Sequence, residues 1–200
     1  MLSLTMLITI SRQYGAGGSE VAARVAKALG WRVVDNELVE RVAARAGLPP
    51  EDVAEREERV PTFVERLART LAAATPELFP PPDTEGLVPK LQEADLVRIT
   101  ETVVAEIAAE GRVVLVGRAA PAVLAREKDA LHVQIVAPKD YRIRAAAERL
   151  KASLEEAAAV LEDTDKMRGR YSREYYHRDW RDPVNYHMVL NTAALGVVGA

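Results

Sequence analysis

The chain contains no cysteine. That excludes disulfides, thiolate zinc sites and cysteine nucleophiles in one stroke. Aromatic residues make up only 5% of it, although apolar residues of all kinds reach 48%. The core must therefore rest on Val, Leu, Ile and Ala, as in helices packed on a parallel sheet. Excess positive charge is also missing. The formal net charge is -3, so no overall field attracts nucleic acid. Long apolar runs are absent as well. Met1 to Ile10 is apolar but too short to span a bilayer, and it has no basic leader before it. It reads as a first strand, and a cytoplasmic protein with no membrane partner is expected.

What is present begins at Ile8. The run Ile8-Thr9-Ile10-Ser11 leads into Arg12-Gln13-Tyr14-Gly15-Ala16-Gly17-Gly18-Ser19, and an amphipathic segment follows with Val21, Ala22, Val25, Ala26 and Leu29 on one face. Strand, glycine-rich turn and helix N-terminus together make a phosphate-binding loop. Unpaired amides and the positive end of the helix dipole attract an anion. Glycines let the backbone approach phosphate oxygens closely. Gly15, Ala16, Gly17, Gly18 and Ser19 are the expected cradle. The spacing matches the end of a Walker A loop, with Gly18 in the place of the lysine. Ser19 either caps the helix or ligates the Mg2+ of a nucleotide.

Along the chain, strand-like runs occur at Leu7–Ser11, Arg32–Val34, Val113–Val116, Leu131–Val136 and Met188–Leu190. Helical periodicity lies between them, over Asn36–Ala46, from Pro61 through Leu71, over Asp95–Glu110 and from Leu154 onward. Ser153 and Glu156 form a capping box for the last of these. Alternating strands and helices predict a parallel sheet in an α/β fold, with ligands at the carboxyl ends of the strands. The 200 residues suit a single domain. A helical insertion runs from about 48 to 98, and the proline-rich stretch Thr75–Pro89 within it has no period and reads as a loop or hinge.

Several polar residues follow strands. Asp35 either holds a substrate hydroxyl or Mg2+, or caps the next helix. Arg118 follows a fully apolar run and suits bidentate phosphate contacts at the ligand edge. Arg142 and Arg149 are seven residues apart and share a helix face, with Arg144 offset; Arg168, Arg170, Arg173 and Arg178 extend the basic set. Phosphoryl transfer needs cations around the moving group. A solvated basic face paired with Glu148, Glu155, Glu162 and Asp163 is the competing reading. Tyr171, Tyr175, Tyr176 and Trp180 either stack on a base or pack a helix end or a subunit contact, so a homodimer stays open. His177 and His187 lack metal-site spacing.

With these residues in view, the chain resembles the cytidylate kinase-like proteins, a branch of the P-loop nucleoside monophosphate kinases. Ile10 through Ser19 is similar to that branch's variant loop, which also carries glycine in the lysine position. Val33-Val34-Asp35-Asn36-Glu37-Leu38 resembles its second-strand motif, and Val114 through Ala120 its Gly-Arg segment. Asp165-Lys166-Met167-Arg168 to Tyr171, Trp180-Arg181-Asp182-Pro183 and Asn185-Tyr186 to Asn191-Thr192 resemble its C-terminal signature.

The resemblance implies a P-loop NTPase fold: a five-stranded parallel sheet flanked by helices, a helical monophosphate-binding insert, and an arginine-bearing lid, which with the C-terminal basic region covers about 138–181. It implies transfer of the γ-phosphoryl of ATP to CMP, dCMP or a related small acceptor, with Mg2+ held through Ser19. Asp35 and Arg118 then face the acceptor. Arg118, Arg142, Arg144 and Arg168 are the implied catalytic cations, Arg142 and Arg144 in the lid and Arg168 near the acceptor or the moving phosphate; Arg12 or a lid arginine is the candidate to replace the missing lysine. The chain departs from the pattern at Gly18, at Ala119 and Ala120 where typical members carry an acid, and at His187. Losing a phosphate-stabilising cation costs a factor of ~10^2 to 10^3 in rate. A nucleotide-binding module without transfer, or a kinase of a non-nucleotide acceptor, are the alternatives.

Overall fold

β1 (Leu7–Arg12), β2 (Arg32–Val34), β3 (Val113–Val116), β4 (Ala130–Val136) and β5 (Met188–Asn191) pair in one parallel sheet of order β2-β3-β1-β4-β5. This computed structural model describes residues 6–35, 41–42, 44–46 and 93–200. The five strand-like runs of the sequence are these five strands, with ends differing by a residue or so. β3 reads Val-Val-Leu-Val and is buried at all four positions, as a strand covered on both faces should be.

Alternation along the strands divides the core in two. Val113 and Leu115 join Leu7, Val34, Val104 and Ile107 on one face, beneath α2 (Glu93–Glu110). Val114 and Val116 join Ile10, Val133 and Ile135 on the other, against Val21, Ala22 and Ala26 of α1 (Gly18–Leu29). Period-two side chains thus hold a helix on each face of the sheet. α1 stops where Gly30 takes a left-handed conformation, φ 65°.

After β3 comes a single turn, α3 (Ala120–Val123). After β4 come α4 (Lys139–Leu150) and α5 (Leu154–Tyr176), which pack on one another. The capping box at Ser153 and Glu156 is present with both reciprocal hydrogen bonds. A 3-10 turn (Pro183–Asn185) precedes β5, and α6 (Thr192–Gly199) follows it.

Residues 41, 42 and 44–46 are helical, in line with the expected Asn36–Ala46 helix. Arg41 and Arg45 donate to Glu110 and Glu106 at 2.9 and 2.8 Å, joining this piece to α2. The expected helix from Pro61, the stretch Thr75–Pro89 and most of the 48–98 insertion lie outside the described residues. No helix among the described residues is long and apolar enough to cross a membrane.

The strand order sets the site. β1 lies centrally between β3 and β4, so the turns leaving β1 and β3 emerge side by side. The amide of Gly117 donates to the Ile10 carbonyl at 3.0 Å and ties them together.

Candidate functional site

The turn after β1 is shaped by two left-handed glycines, Gly15 and Gly17, each at φ 77°. Gly15 is required for a second reason. A Cβ there would lie 2.4 Å from the backbone oxygen of Arg142, which no side chain tolerates. Gly17 leads into α1, and no side chain caps that helix. The first amides of the helix lack intrahelical partners by construction, which suits an anion.

The scaffold grips the loop from outside. The Gln13 amide donates to the Ile135 carbonyl at 3.0 Å, and the Gln13 side chain accepts from the Ala137 amide at 3.2 Å. The Thr192 hydroxyl donates to the Ala16 carbonyl at 2.8 Å. The Tyr14 amide donates to Asp165 Oδ1 at 2.9 Å. Arg142 donates to the Tyr14 carbonyl at 3.2 Å, to the Ala137 carbonyl at 2.9 Å and to Asp165 Oδ2 at 2.7 Å. The Arg142 and Asp165 side chains are 8% and 3% exposed. Arg142 therefore lies behind the loop as a brace, not over the phosphate side. Arg144 is exposed and lines neither cavity described below.

On the ligand side the Ser19 hydroxyl donates to Asp35 Oδ2 at 3.0 Å. Of the two readings of Ser19, capping is not realised. The Arg12 guanidinium sits 3.6 Å from Asp35 Oδ1. Ser19 and Asp35 are adjacent hard oxygen donors, the kind Mg2+ takes together with substrate phosphates.

Two cavities open at this edge. The larger, about 760 Å3, runs along the loop past Gly15, Gly17, Gly18, Ser19 and Asp35 to Tyr141 and Arg149. The smaller, about 70 Å3, is bounded by Ser11, Arg118, Tyr171, Arg178, Trp180 and Tyr186. Arg12 and Arg168 line both. Arg168 also donates to the Arg12 carbonyl at 2.8 Å. Gly117, Arg118 and Ala119 follow one another at φ 79°, 54° and 50°. Two consecutive non-glycine residues in this region cost roughly 1–2 kcal/mol each, and such strain gathers at functional sites.

Of the residues singled out in the sequence, most of the loop together with Arg12, Asp35, Arg118 and Arg168 line these cavities. Arg149 was noted only as a face-mate of Arg142. Its guanidinium carbon lies 4.7 Å from the Tyr14 ring centroid, on the wall of the larger cavity. Trp180 is buried and covers Gly169, where a Cβ would meet its Nε1 at 2.9 Å. Tyr186 donates to the Trp180 carbonyl at 2.7 Å, and burial raises its pKa, against a smaller lowering by its bond to Ser11.

His132 and His187 stack at 5.0 Å beneath this region, and the Thr9 hydroxyl lies 2.7 Å from His132 Nδ1. Burial lowers the His132 pKa most, and the charges of His187 and Arg178 add to this, while a backbone hydrogen bond at Leu124 opposes it. A depressed pKa means that the unfolded chain takes up this proton first. Stability is full above the unfolded value of about 6.5, declines as pH falls toward the lower folded value, and levels off below it. Melting temperature is thus expected to fall between pH 7 and 5.5, and less steeply in His132→Gln. Equal slopes for the two proteins would remove His132 from this account.

The model of the cytidylate kinase-like family matches residues 7–194. No curated protein matches the chain by sequence. Among solved structures, an uncharacterized protein from Eubacterium ventriosum aligns with TM-score 0.64 at 19% identity, covering 93% of this chain and 87% of that one. A gluconokinase from Sinorhizobium meliloti aligns with TM-score 0.52 at 13% identity, covering 95% and 84%. At these identities both likenesses concern the fold.

Proposed function

The chain belongs to the cytidylate kinase-like family, and from that premise we propose that it is an ATP-dependent phosphotransferase acting on CMP, dCMP or a related small acceptor. One observation carries the reading: Arg12 and Arg168 line both cavities. A donor phosphate chain in the larger cavity would end at these two cations, and the phosphate of an acceptor approaching from the side of the smaller would meet it there. Arg118 serves the acceptor side. Charge on the moving phosphoryl group spreads over its equatorial oxygens, so positioning and neutralisation supply most of the catalysis, and no covalent enzyme intermediate is needed.

The donor set fits Mg2+. Ser19 Oγ and the Asp35 carboxylate would hold it, and the ion when bound neutralises phosphate charge. The chain's own part is to cradle the phosphates with the amides of Gly15 and of Gly17 to Ser19, orient them with Arg12, and keep the acceptor oxygen in line; the Ala16 amide instead donates to the Gln13 carbonyl at 3.1 Å.

Gly18 favours a second reading, nucleotide binding without transfer. One assay separates the two: ATP and Mg2+ with each nucleoside monophosphate in turn, products separated by chromatography. Conversion of CMP or dCMP to the diphosphate is the expected result. Protein that binds ATP yet converts no monophosphate would overturn the transfer reading for these acceptors.

A further inference from the structure

A P-loop ordinarily reads Gly-x-x-x-x-Gly-Lys-Ser/Thr. Set on Gly17 and Ser19, this chain has Gly18 at the lysine and Arg12 at the first glycine. Cation and glycine have exchanged places. The structure gives the exchange a steric basis. A Cβ on Gly18 would lie 2.4 Å from Arg12 Cβ and 2.8 Å from its Cγ. Gly18 has no left-handed φ and opens α1, so its backbone accepts any ordinary residue. Among the described residues, the stem of Arg12 is what a Cβ there would strike.

We propose that Arg12 is the phosphate-bridging cation of this loop, and that Gly18 is glycine because Arg12 crosses it. Arg12 ends β1, where the sheet holds its backbone in register with Ile135, and Arg168 holds its carbonyl. Its guanidinium starts 3.6 Å from Asp35, whose other oxygen takes the Ser19 hydroxyl. The cation therefore stands at the corner where phosphate and Mg2+ would lie. A guanidinium binds carboxylate and phosphate oxygens with the same planar fork.

This inference rests on the phosphotransfer reading, but ATP affinity tests it separately from turnover. The variants are Arg12→Gly, Arg12→Gln, Gly18→Lys and the double Arg12→Gly/Gly18→Lys, each checked for fold by circular dichroism. Affinity for ATP is measured by calorimetry and turnover with the best acceptor. Arg12→Gly and Arg12→Gln should each lose about tenfold in ATP affinity and roughly 10^2 in turnover. Gly18→Lys alone should also be impaired, because Arg12 occupies its space. The double variant, which restores the ordinary pattern, should bind ATP within about twofold of the parent and turn over within about tenfold of it. Arg12→Gln carries the test if Arg12→Gly does not fold. Wild-type ATP affinity in a folded Arg12→Gln, or a folded double variant no better than Arg12→Gly, overturns the exchange. A parent protein that binds ATP but makes no product refutes the phosphotransfer reading alone, and affinity then decides the role of Arg12.

Discussion

Replacing Asp165 by alanine is expected to cost about 3–5 kcal/mol of stability, the range for breaking one side of a buried ion pair. Both partners are almost wholly buried. Without the carboxylate, the Arg142 guanidinium stays in the interior with its charge unmatched, and the Tyr14 amide loses its acceptor at 2.9 Å. For a chain of this size each kcal/mol lowers the melting temperature by roughly 2–4 °C, so a fall of about 10 °C is anticipated. Asp165→Asn should lose less, because the amide oxygen can still accept from Tyr14. Arg142→Ala leaves the Asp165 carboxylate buried and should resemble Asp165→Ala. Urea unfolding of the three variants checks the order. A loss below about 1 kcal/mol in Asp165→Ala would mean that water reaches the pair and screens it as it does a surface bridge.

That pair shows where the sequence stops being informative. Local devices were readable because their partners are close in the chain. Ser153 and Glu156 cap a helix three residues apart, and the glycines at 15 and 17 announce a turn between a strand and a helix. The doubly buried run Val113–Val116 announces an interior strand. The family resemblance implies a lid cation at Arg142. Its real neighbours are Asp165, on the next helix, and Tyr14, 128 positions upstream. No periodicity encodes such a meeting; only the packing of α4 on α5 and of both against the loop creates it. Arg12 is a similar case. Its type and place beside the loop were visible, but the crossing of its stem over Gly18 depends on the turn's three-dimensional path. The smaller cavity was hidden for the same reason, since Ser11 lies in β1, Arg118 after β3 and Tyr186 between the 3-10 turn and β5.

Arg168→Ala is expected to lower turnover by roughly 10^2 to 10^3, the cost of losing one preorganised cation at a developing charge, while the protein stays folded. Arg168 differs from Arg142 in one respect that decides this. It is only partly buried, and it faces both cavities. On the proposed function its loss acts twice, once by removing charge from where donor and acceptor would meet, and once by releasing the Arg12 carbonyl it holds at 2.8 Å. A contact made mainly in the transition state lowers kcat and kcat/KM together, whereas uniform binding raises KM alone. The expected pattern is a large fall in kcat, with KM for ATP and for the acceptor each changing by much less. Arg168→Lys should recover part of the rate, since it keeps the charge but not the planar fork that serves Arg12 and a phosphate at once. If kcat were unchanged and only the acceptor KM rose, Arg168 would be a ground-state contact of the smaller cavity, and the phosphoryl group would pass between Arg12 and Arg118 without it.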